Sequence, residues 1–397
     1  MDFIYPGAQK FNDPAKAYNV EERATSVYFQ GNFDSATGIW GIPYSGNLGM
    51  QVVRTDRTVV QSEVPLYYED DNHFGGGADG SQSWNSVFKS TGTKVTETDF
   101  TDYLPSANIN FFPHDDVVVR FSYAKTMSRN DLINVGEGLT LWYQEYTVTD
   151  EDGTERVVTS AGGGNDQGNP HVKPWRAVNY NSSAEWYFAE GGILGAGIFL
   201  IDVKSATETL QEQRQYADSD GVVRRSVNVW TTKNVGASDL KGFELGYKQS
   251  YNFLPEPFNG LGSELNYTYS DSESTDKDLE GNPFPLPSNS KHQYNAVLWY
   301  QAGPFSTRVA YNWRSKQFNG RVGLNTNEAP ISLGNWAKDA GYLDASINYD
   351  PNQYLTVYLQ GTNLTETNQR SYAQFESQFH SMAVQERRIT LGVRARL

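Results

Sequence analysis

Alternation of apolar and polar residues is the main pattern in this chain, and it is clearest in the last eleven positions, from Arg387 to Leu397. One face of this segment carries Ile389, Leu391, Val393, Ala395 and Leu397, and the other carries Arg388, Thr390, Gly392, Arg394 and Arg396. A period of two predicts a two-faced β-strand. A strand of about 10 residues is long enough to cross a bilayer when tilted.

The same alternation recurs along the chain and predicts about 13 antiparallel spanning strands. They are expected at 22–33, 46–60, 93–112, 116–127, 177–189, 192–204, 238–252, 262–271, 291–301, 304–316, 342–349, 354–363 and 387–397. Short turns alternate with long polar connections at 61–92, 128–176, 205–237, 271–290, 317–341 and 364–385. This alternation is typical of transmembrane β-barrels, which have short turns at one end and long loops at the other.

Two long connections contain hairpin signals of their own. The segments Tyr143–Val148 and Glu155–Thr159 flank Asp152-Gly153, and Asp220-Gly221 has a similar context. Because Asp-Gly favours tight hairpin turns, we expect both hairpins to stand above the membrane.

Composition agrees with a barrel and excludes several other classes. The mean hydropathy is −0.60, and no apolar run approaches the roughly 20 residues of a membrane-spanning helix. Tyr (25), Phe (20) and Trp (9) are frequent enough for aromatic girdles, and the absence of cysteine excludes disulfides and thiolate metal sites. A net charge of −15 argues against a nucleic-acid partner.

Several local motifs resemble TonB-dependent outer-membrane receptors, most closely the branch often linked to carbohydrate uptake. The motifs are Tyr103–Asn110, Arg120–Arg129, Gly168-Asn169-Pro170, Lys173-Pro174, Glu185–Phe188, Lys241–Glu244, Asn266–Tyr269, Leu286-Pro287, Lys291-His292 and Thr362–Thr365. Their order and spacing cover nearly the whole chain. Two positions depart from the family pattern, Asn130 in place of proline and Leu397 in place of a terminal phenylalanine.

The resemblance implies the C-terminal part of a 22-stranded barrel whose lumen is plugged. The segment after Met1 has no signal-peptide pattern, and an odd number of strands is unusual for such barrels, so we expect the plug and the first strands to precede this chain. The implied partners are outer-membrane lipid, the barrel-assembly machinery, and TonB–ExbB–ExbD through the missing plug segment. The apolar end at Val393, Ala395 and Leu397 is expected to be the assembly signal.

Aromatic residues in the predicted extracellular connections are the candidate ligand-binding residues, namely Trp84, Trp142, Tyr143, Trp175 and Trp336. Rings of this kind can stack on the apolar faces of sugars, and a pocket combines apolar walls with a few polar groups. The alternative is that each ring packs the loops together or belongs to the outer girdle. Trp299, Tyr311 and Trp313 lie on strands and are expected on the lipid face or in a girdle.

Charged strand residues are expected on the lumen face, because a charge on the lipid face would cost about 2–4 kcal/mol near the midplane. They are Arg308, Arg388, Arg394 and Arg396, which in an intact receptor would contact the plug.

No metal, cofactor or catalytic site is predicted. The five histidines are scattered, and Gly75–Gly77 and Gly162–Gly164 have the features of flexible loops rather than of phosphate-binding loops. The acidic clusters Glu69–Asp71 and Asp271–Asp278 could bind calcium, but solvated loop charge is the preferred interpretation.

The sequence therefore predicts active uptake of a large solute, expected to be an oligosaccharide, without covalent chemistry. Three alternatives remain open at this point. They are a receptor for an iron chelate (siderophore), a passive porin or structural barrel, and a soluble β-rich carbohydrate-binding protein or enzyme. The porin would need an inward-folded constriction loop, and the soluble protein would need a second sheet packed on each apolar face.

Overall fold

A computed structural model of the protein describes residues 18–63, 92–235, 238–275, 277–324 and 331–396. Within these ranges there are twenty β-strands, the one-turn helix α1 (Ile133–Gly136) and a short 3-10 turn at Phe258–Gly260. The strands are β1 Tyr18–Ile39, β2 Ile42–Glu63, β3 Gly92–His114, β4 Val117–Ser128, β5 Thr140–Thr149, β6 Glu155–Asp166, β7 Trp175–Ala189, β8 Gly192–Gln215, β9 Ser226–Val235, β10 Ser238–Ser250, β11 Leu261–Glu273, β12 His292–Ala302, β13 Phe305–Arg314, β14 Gln317–Leu324, β15 Ile331–Ala337, β16 Ala340–Asn352, β17 Leu355–Thr362, β18 Gln369–Ala373, β19 Phe379–Ala383 and β20 Arg388–Ala395.

Thirteen of these strands form one continuous antiparallel wall. Its order is β1-β2-β3-β4-β7-β8-β10-β11-β12-β13-β16-β17-β20, which follows the order of the chain. Every predicted spanning strand coincides with one of the thirteen, so the predicted fold class is confirmed. The described residues contain no helix that is long and apolar enough to cross a membrane.

Tight turns close one end of the wall. Trp40-Gly41 joins β1 to β2, and Gly303-Pro304 joins β12 to β13. Just before the first turn, Gly38 has a φ of +64°, and a Cβ there would stand 1.7 Å from the carbonyl oxygen of Ile42. Only glycine is accommodated at this close approach of the two strands.

One face of the wall is apolar and exposed from β1 to β20. Val309, for example, pairs with Leu298 on one neighbour and Ala345 on the other. Leu391 is 74% exposed and Ile198 62% exposed. Such an extended exposed apolar surface requires a covering phase, and lipid is that phase.

Aromatic rings mark both borders of this apolar band. Phe305 and Tyr349 lie 4.7 Å apart near the short turns. Tyr294 and Trp313 stack at 5.1 Å towards the opposite end. This arrangement is that of the two aromatic girdles of a membrane-spanning barrel.

The opposite face of the wall carries the polar residues. Arg308 pairs with Ser346 on this face and also with Trp299. The expectation that Trp299 lies on the lipid face is therefore wrong, because its indole shares the polar face and covers Gly262. Tyr311 and Trp313 lie on the apolar face, as predicted.

The strands β1 and β2 are longer than a membrane crossing requires. Each has 22 residues, whereas about 9–11 suffice for a tilted spanning strand. Their surplus length extends on the side of the long connections. On that side, residues 166–174 pack with α1 against the polar face of the wall, and we call these residues the inward segment. Val59, Val135 and Val172 form a buried cluster between them and the wall.

Arg57 fixes the inward segment to the wall. Its side chain is 1% exposed and forms an ion pair of 2.7 Å with Glu22 on β1. Its Nη1 donates to the carbonyl oxygens of Pro170 at 3.0 Å and Val172 at 2.8 Å. The guanidinium also lies over the ring of Phe100, 5.3 Å from the centroid. This segment therefore lies against the polar face of the wall.

A separate four-stranded sheet, β14-β15-β18-β19, lies within the long connections. These residues were predicted to be polar loops, so the four strands are an addition to the predicted fold. Stacked rings of Phe284 and Phe318, 4.7 Å apart, form part of its core. Arg321 of β14 forms an ion pair with Glu208 of β8, which joins this sheet to the rest of the protein.

Candidate functional site

A second group of strands on the long-connection side forms the candidate ligand site. It consists of β5, β6, β9 and residues 206–215 of β8, and we call it the platform sheet. The β5–β6 hairpin was predicted from Asp152-Gly153 and the β8–β9 hairpin from Asp220-Gly221, and both are present. β6 and β9 are joined by a short parallel pairing.

Trp142 is displayed on one face of the platform sheet, which we call the platform face. The residue is 47% exposed, and its ring lies over Gly163 of β6. A Cβ on Gly163 would stand 2.3 Å from the indole, so glycine is what permits this close approach. The expectation that Gly162–Gly164 is a flexible loop is therefore wrong, since all three residues lie within β6.

Trp230 of β9 lies on the same face as Trp142. Trp230 pairs with Asn165 of β6, whereas Trp142 pairs with Gly163 of the same strand. Asn165 lies two residues after Gly163. Because the two tryptophans lie on opposite sides of β6, strand spacing and rise place their backbones roughly 12 Å apart. Trp230 is 41% exposed. Trp230 was not among the predicted site residues, because its strand was assigned to a loop.

Neutral amide side chains surround the two indoles. They are Gln144, Asn165, Gln211, Gln213 and Asn228, which share the platform face by register. An amide offers both a donor and an acceptor to a hydroxyl group. The platform face can therefore stack an apolar ring surface and hydrogen-bond the hydroxyl groups around it.

Tyr143 lies on the other face of the platform sheet. Its ring packs against a buried cluster that includes Leu141 and Val229. Burial raises the pKa of the Tyr143 phenol. The structure thus places this predicted site residue away from Trp142, in the core beneath the platform face.

Ion pairs tie the two hairpin tips of the platform sheet together. Arg156 of β6 contacts Asp150 at 2.9 Å and Asp220 at 2.7 Å. Arg224 contacts the fully buried Asp218 at 2.8 Å and Asp220 at 2.6 Å. Such a network holds the hairpins in a fixed relative position.

The charges of this network lower the pKa values of its carboxyl groups. Arg224, with the backbone N–H of Val222 and with Arg156, holds the pKa of Asp220 below its ordinary value. Burial raises the pKa of Asp218, but hydrogen bonds and the charge of Arg224 outweigh burial and lower it. Both groups are therefore anionic at neutral pH.

Trp175 lies at the junction between the wall and the platform sheet. It is the first residue of β7, and its Nε1–H donates to Thr207 Oγ1 at 2.8 Å. The side chain is 42% exposed. This hydrogen bond fixes the indole, while one side of the ring remains accessible.

Trp336 belongs to β15 of the separate four-stranded sheet and not to the platform sheet. Its ring lies 5.3 Å from that of Phe318, and the Lys316 ammonium lies 4.9 Å from its centroid. Trp84 lies outside the described residues. The structure therefore places Trp142 on the platform face, Trp175 at the junction with the wall and Trp336 on a different sheet.

The predicted lumen arginines and the C-terminal residues have clear positions in the wall. Arg308, Arg388 and Arg394 lie on the polar face by register, and Arg396 follows the end of β20. Val393 and Ala395 lie on the apolar face of β20, and Leu397 lies outside the described residues. Contact of these arginines with a plug, and the assembly role of the C-terminal residues, remain predictions.

No group of three or more His, Cys, Asp or Glu side chains in the described ranges is arranged to hold a metal ion. In the acidic segment after β11, Asp278 Oδ1 accepts backbone N–H groups of Glu280 and Asn282 at 2.9 Å each. This carboxylate therefore organises its own turn. The cluster Glu69–Asp71 lies outside the described residues.

A long antiparallel wall with a lipid-covered outer face, short turns at one end and built-up connections at the other defines an outer-membrane barrel. Residues 3–364 match the family model described as TonB dependent receptor-like, beta-barrel. The chain belongs to this family, and it resides in the bacterial outer membrane with its long connections outside. No curated protein sequence matches it.

Solved structures with the same fold are distant in sequence. The ferric-catecholate import receptor Fiu of E. coli K12 superposes with a TM-score of 0.58 at 15% identity, over 97% of this chain and 46% of that chain. The siderophore receptor PiuA of Acinetobacter baumannii gives 0.53 at 19% identity, over 95% and 44%. A mutant of the ferric enterobactin receptor PfeA of Pseudomonas aeruginosa gives 0.52 at 16% identity, over 88% and 49%. The chain therefore spans less than half the length of these receptors.

Proposed function

We propose that this chain serves TonB-dependent uptake of an oligosaccharide, which is captured on the platform face. The observation that carries the proposal is the pair of exposed indoles, Trp142 and Trp230, on one amide-lined face of the platform sheet. Membership of the receptor family supports active transport. Energy coupling through TonB–ExbB–ExbD and gating by a plug are parts of the proposal that rest on the family alone.

The chemistry of the platform face favours a neutral ligand. Asn165 lies between the two indoles by register, and the other polar side chains named beside them are also amides, which bind hydroxyl groups well and do not neutralise an anion. The roughly 12 Å between the two tryptophan backbones suits several linked rings better than a single ring. We therefore infer an uncharged oligosaccharide, recognised by stacking at two points and by hydrogen bonds between them.

The test is a binding measurement on the purified protein in detergent, using a panel of neutral oligosaccharides and isothermal titration calorimetry. Trp142→Ala and Trp230→Ala should each weaken binding roughly tenfold or more, as expected for aromatic anchors at the centre of an interface. Trp40→Ala is the matched control, because Trp40 is 95% exposed at the opposite end of the barrel. The proposal fails if no oligosaccharide binds, or if all three variants bind one equally well.

A ferric chelate is the second candidate ligand, since the similar solved proteins named above include a ferric-catecholate import receptor and a siderophore receptor. In this chain, Lys316 over the Trp336 ring is the observation that favours it, because an aromatic ring beside a cation suits an anionic aromatic chelate. Quenching of tryptophan fluorescence by a ferric catecholate would test it. Loss of quenching in Lys316→Gln and in Trp336→Ala, with Trp142→Ala unaffected, would support the chelate over the oligosaccharide.

A further inference from the structure

The platform face continues directly into the polar face of the wall. Strand β8 belongs to both, because it pairs with β9 in the platform sheet and with β10 in the wall. The two pairings share one unbroken register, with Ala206 opposite Val235 and Val203 opposite Ser238. Since alternate residues of a strand share a face, the side of β8 that carries Gln211 in the platform sheet faces away from lipid in the wall. One continuous surface therefore leads from the platform sheet down to the spanning part of the wall.

Trp175 stands on this surface where the platform sheet meets the wall. Its Nε1–H donates to Thr207 Oγ1 at 2.8 Å, and Thr207 lies on the same side of β8 as Gln211, four residues away. The Thr207 hydroxyl in turn donates to Asn130 Oδ1 at 3.3 Å. The indole is thus held on the platform side, while its ring remains exposed to a ligand.

The three tryptophans follow one course across this surface. Trp230 pairs with Gln211 of β8, and further down the same strand Ser205 pairs with the residue after Trp175. Two strand spacings and about five residues along the strand therefore separate the backbones of Trp230 and Trp175 by roughly 19 Å. The step from Trp142 to Trp230 also crosses the sheet towards β7 and descends towards the wall, so the whole course spans roughly 30 Å.

The side chains between Trp230 and Trp175 suit a sugar chain. On this side of β8 they offer one amide and two hydroxyl groups, from Gln211, Thr209 and Thr207. The charged residues Glu208 and Glu212 lie on the opposite side of the strand, where both form ion pairs. A neutral chain whose rings stack on the indoles can therefore hydrogen-bond the surface between them.

We propose that Trp175 is a third stacking position, and that the captured oligosaccharide is a long linear chain laid from Trp142 past Trp230 towards the wall. This inference rests on the proposed function, because it extends the same ligand site. A short oligosaccharide reaches only Trp142 and Trp230, whereas a long one also covers Trp175. Trp175 therefore selects for chain length and directs one end of the chain to the wall.

The test is isothermal titration calorimetry on the purified protein in detergent, with linear cello-, xylo-, manno- and malto-oligosaccharides from the trimer to the octamer. In a series that binds, the octamer should bind about tenfold more tightly than the trimer, the scale of one aromatic anchor. Trp175→Ala should remove this advantage of the octamer and leave the affinity for the trimer unchanged. Trp142→Ala should weaken the binding of both lengths.

Two further variants separate stacking from a structural role. Trp175→Phe keeps an aromatic ring without the hydrogen bond to Thr207, and it should retain most of the octamer's advantage. Trp186→Ala is the matched control, because Trp186 is an exposed indole of the same strand that lies on the apolar face. This variant should bind both lengths as the unchanged protein does.

Hydroxyl-radical footprinting of the unchanged protein gives a second readout, which decides the outcome if Trp175→Ala does not fold. The octamer should protect Trp175 from oxidation and the trimer should not, while Trp40 is oxidised equally in both. Equal affinity for trimer and octamer, an equal loss for both lengths in Trp175→Ala, or no protection of Trp175 overturns this inference and leaves the proposed function standing. Absence of binding in every series overturns both.

Discussion

Arg57→Ala should release the inward segment from the wall while leaving the spanning strands in place. Arg57 is 1% exposed and its ion-pair partner Glu22 is 11% exposed, so the pair is desolvated. Removing one partner of a buried pair costs about 3–5 kcal/mol because the other charge stays buried without compensation. The substitution also deprives the carbonyl groups of Pro170 and Val172 of their donor.

These costs overlap, because local opening lets water reach the freed groups. We therefore expect a net loss of about 4 kcal/mol in the free energy of local opening of the inward segment, the middle of the range for a broken buried pair. Since every 1.4 kcal/mol is tenfold, amide exchange in the segment should accelerate about 1,000-fold. The relevant amides include Asn169, which donates to Asn134 O at 3.0 Å, and Val172, which donates to Asn169 O at 3.2 Å.

The assay is hydrogen–deuterium exchange with mass spectrometry, comparing peptides of the inward segment with peptides of β12. Arg54→Ala is the matched control, because Arg54 is on the same strand but is 61% exposed and pairs with Asp56 at the surface. Exposed ion pairs contribute about 0–1 kcal/mol, so this variant should change exchange less than tenfold. Equal acceleration in both variants, or acceleration in β12 as large as in the inward segment, would refute the reasoning.

Three further outcomes follow from the wall and the platform sheet. Leu391→Arg places a charge on the lipid face of β20 and should lower stability in vesicles by about 2–4 kcal/mol near the midplane, measured by urea unfolding. A Cβ at Gly163 would stand 2.3 Å from the Trp142 ring, so Gly163→Val should displace this ring and shift its fluorescence. An unchanged fluorescence spectrum would contradict the close packing of the two residues. The pKa of Asp220 is lowered from 3.8 in the folded protein, so its stabilising effect is complete above pH 3.8 and is lost as pH falls through the lower folded value. Exchange at the hairpin tips should thus increase below pH 3.8 in the native protein, with a weaker acid dependence in Asp220→Asn, whereas identical pH profiles would exclude the ion-pair network as the cause.

The spanning strands could be predicted from the sequence because lipid imposes one rule on all of them. Each strand must show apolar residues to the bilayer at every second position, as β20 does with Ile389, Leu391 and Val393. The rule fails where both faces are apolar. In β12 the consecutive residues 296–300 are all apolar, so alternation cannot show which of them face the lipid. The pairing of Trp299 with Arg308 shows that Trp299 lies on the polar face.

The strands beyond the membrane could be predicted only in part. Asp-Gly turns indicated the two platform hairpins, but no lipid rule applies to their faces, and Trp230 was not recognised. Gly162–Gly164 has the composition of a flexible segment, yet it is a strand because the side chains of Gln144 and Trp142 cover Gly162 and Gly163. These contacts depend on which strands pair in the folded protein, and the periodicity of the sequence does not show which strands pair.

The wall and the platform sheet differ in how freely their amino-acid sequences can vary. Residues of the wall contact lipid, so each substitution there is constrained by the bilayer as well as by strand pairing. The platform sheet is held by its own core around Leu141 and Val229 and by the ion pairs of Arg156 and Arg224. Trp142 contributes to neither, since its ring lies over Gly163 and is 47% exposed. The ligand-contacting side chains can therefore vary without loss of membrane insertion, and Trp142→Ala should reduce capture while the barrel assembles normally.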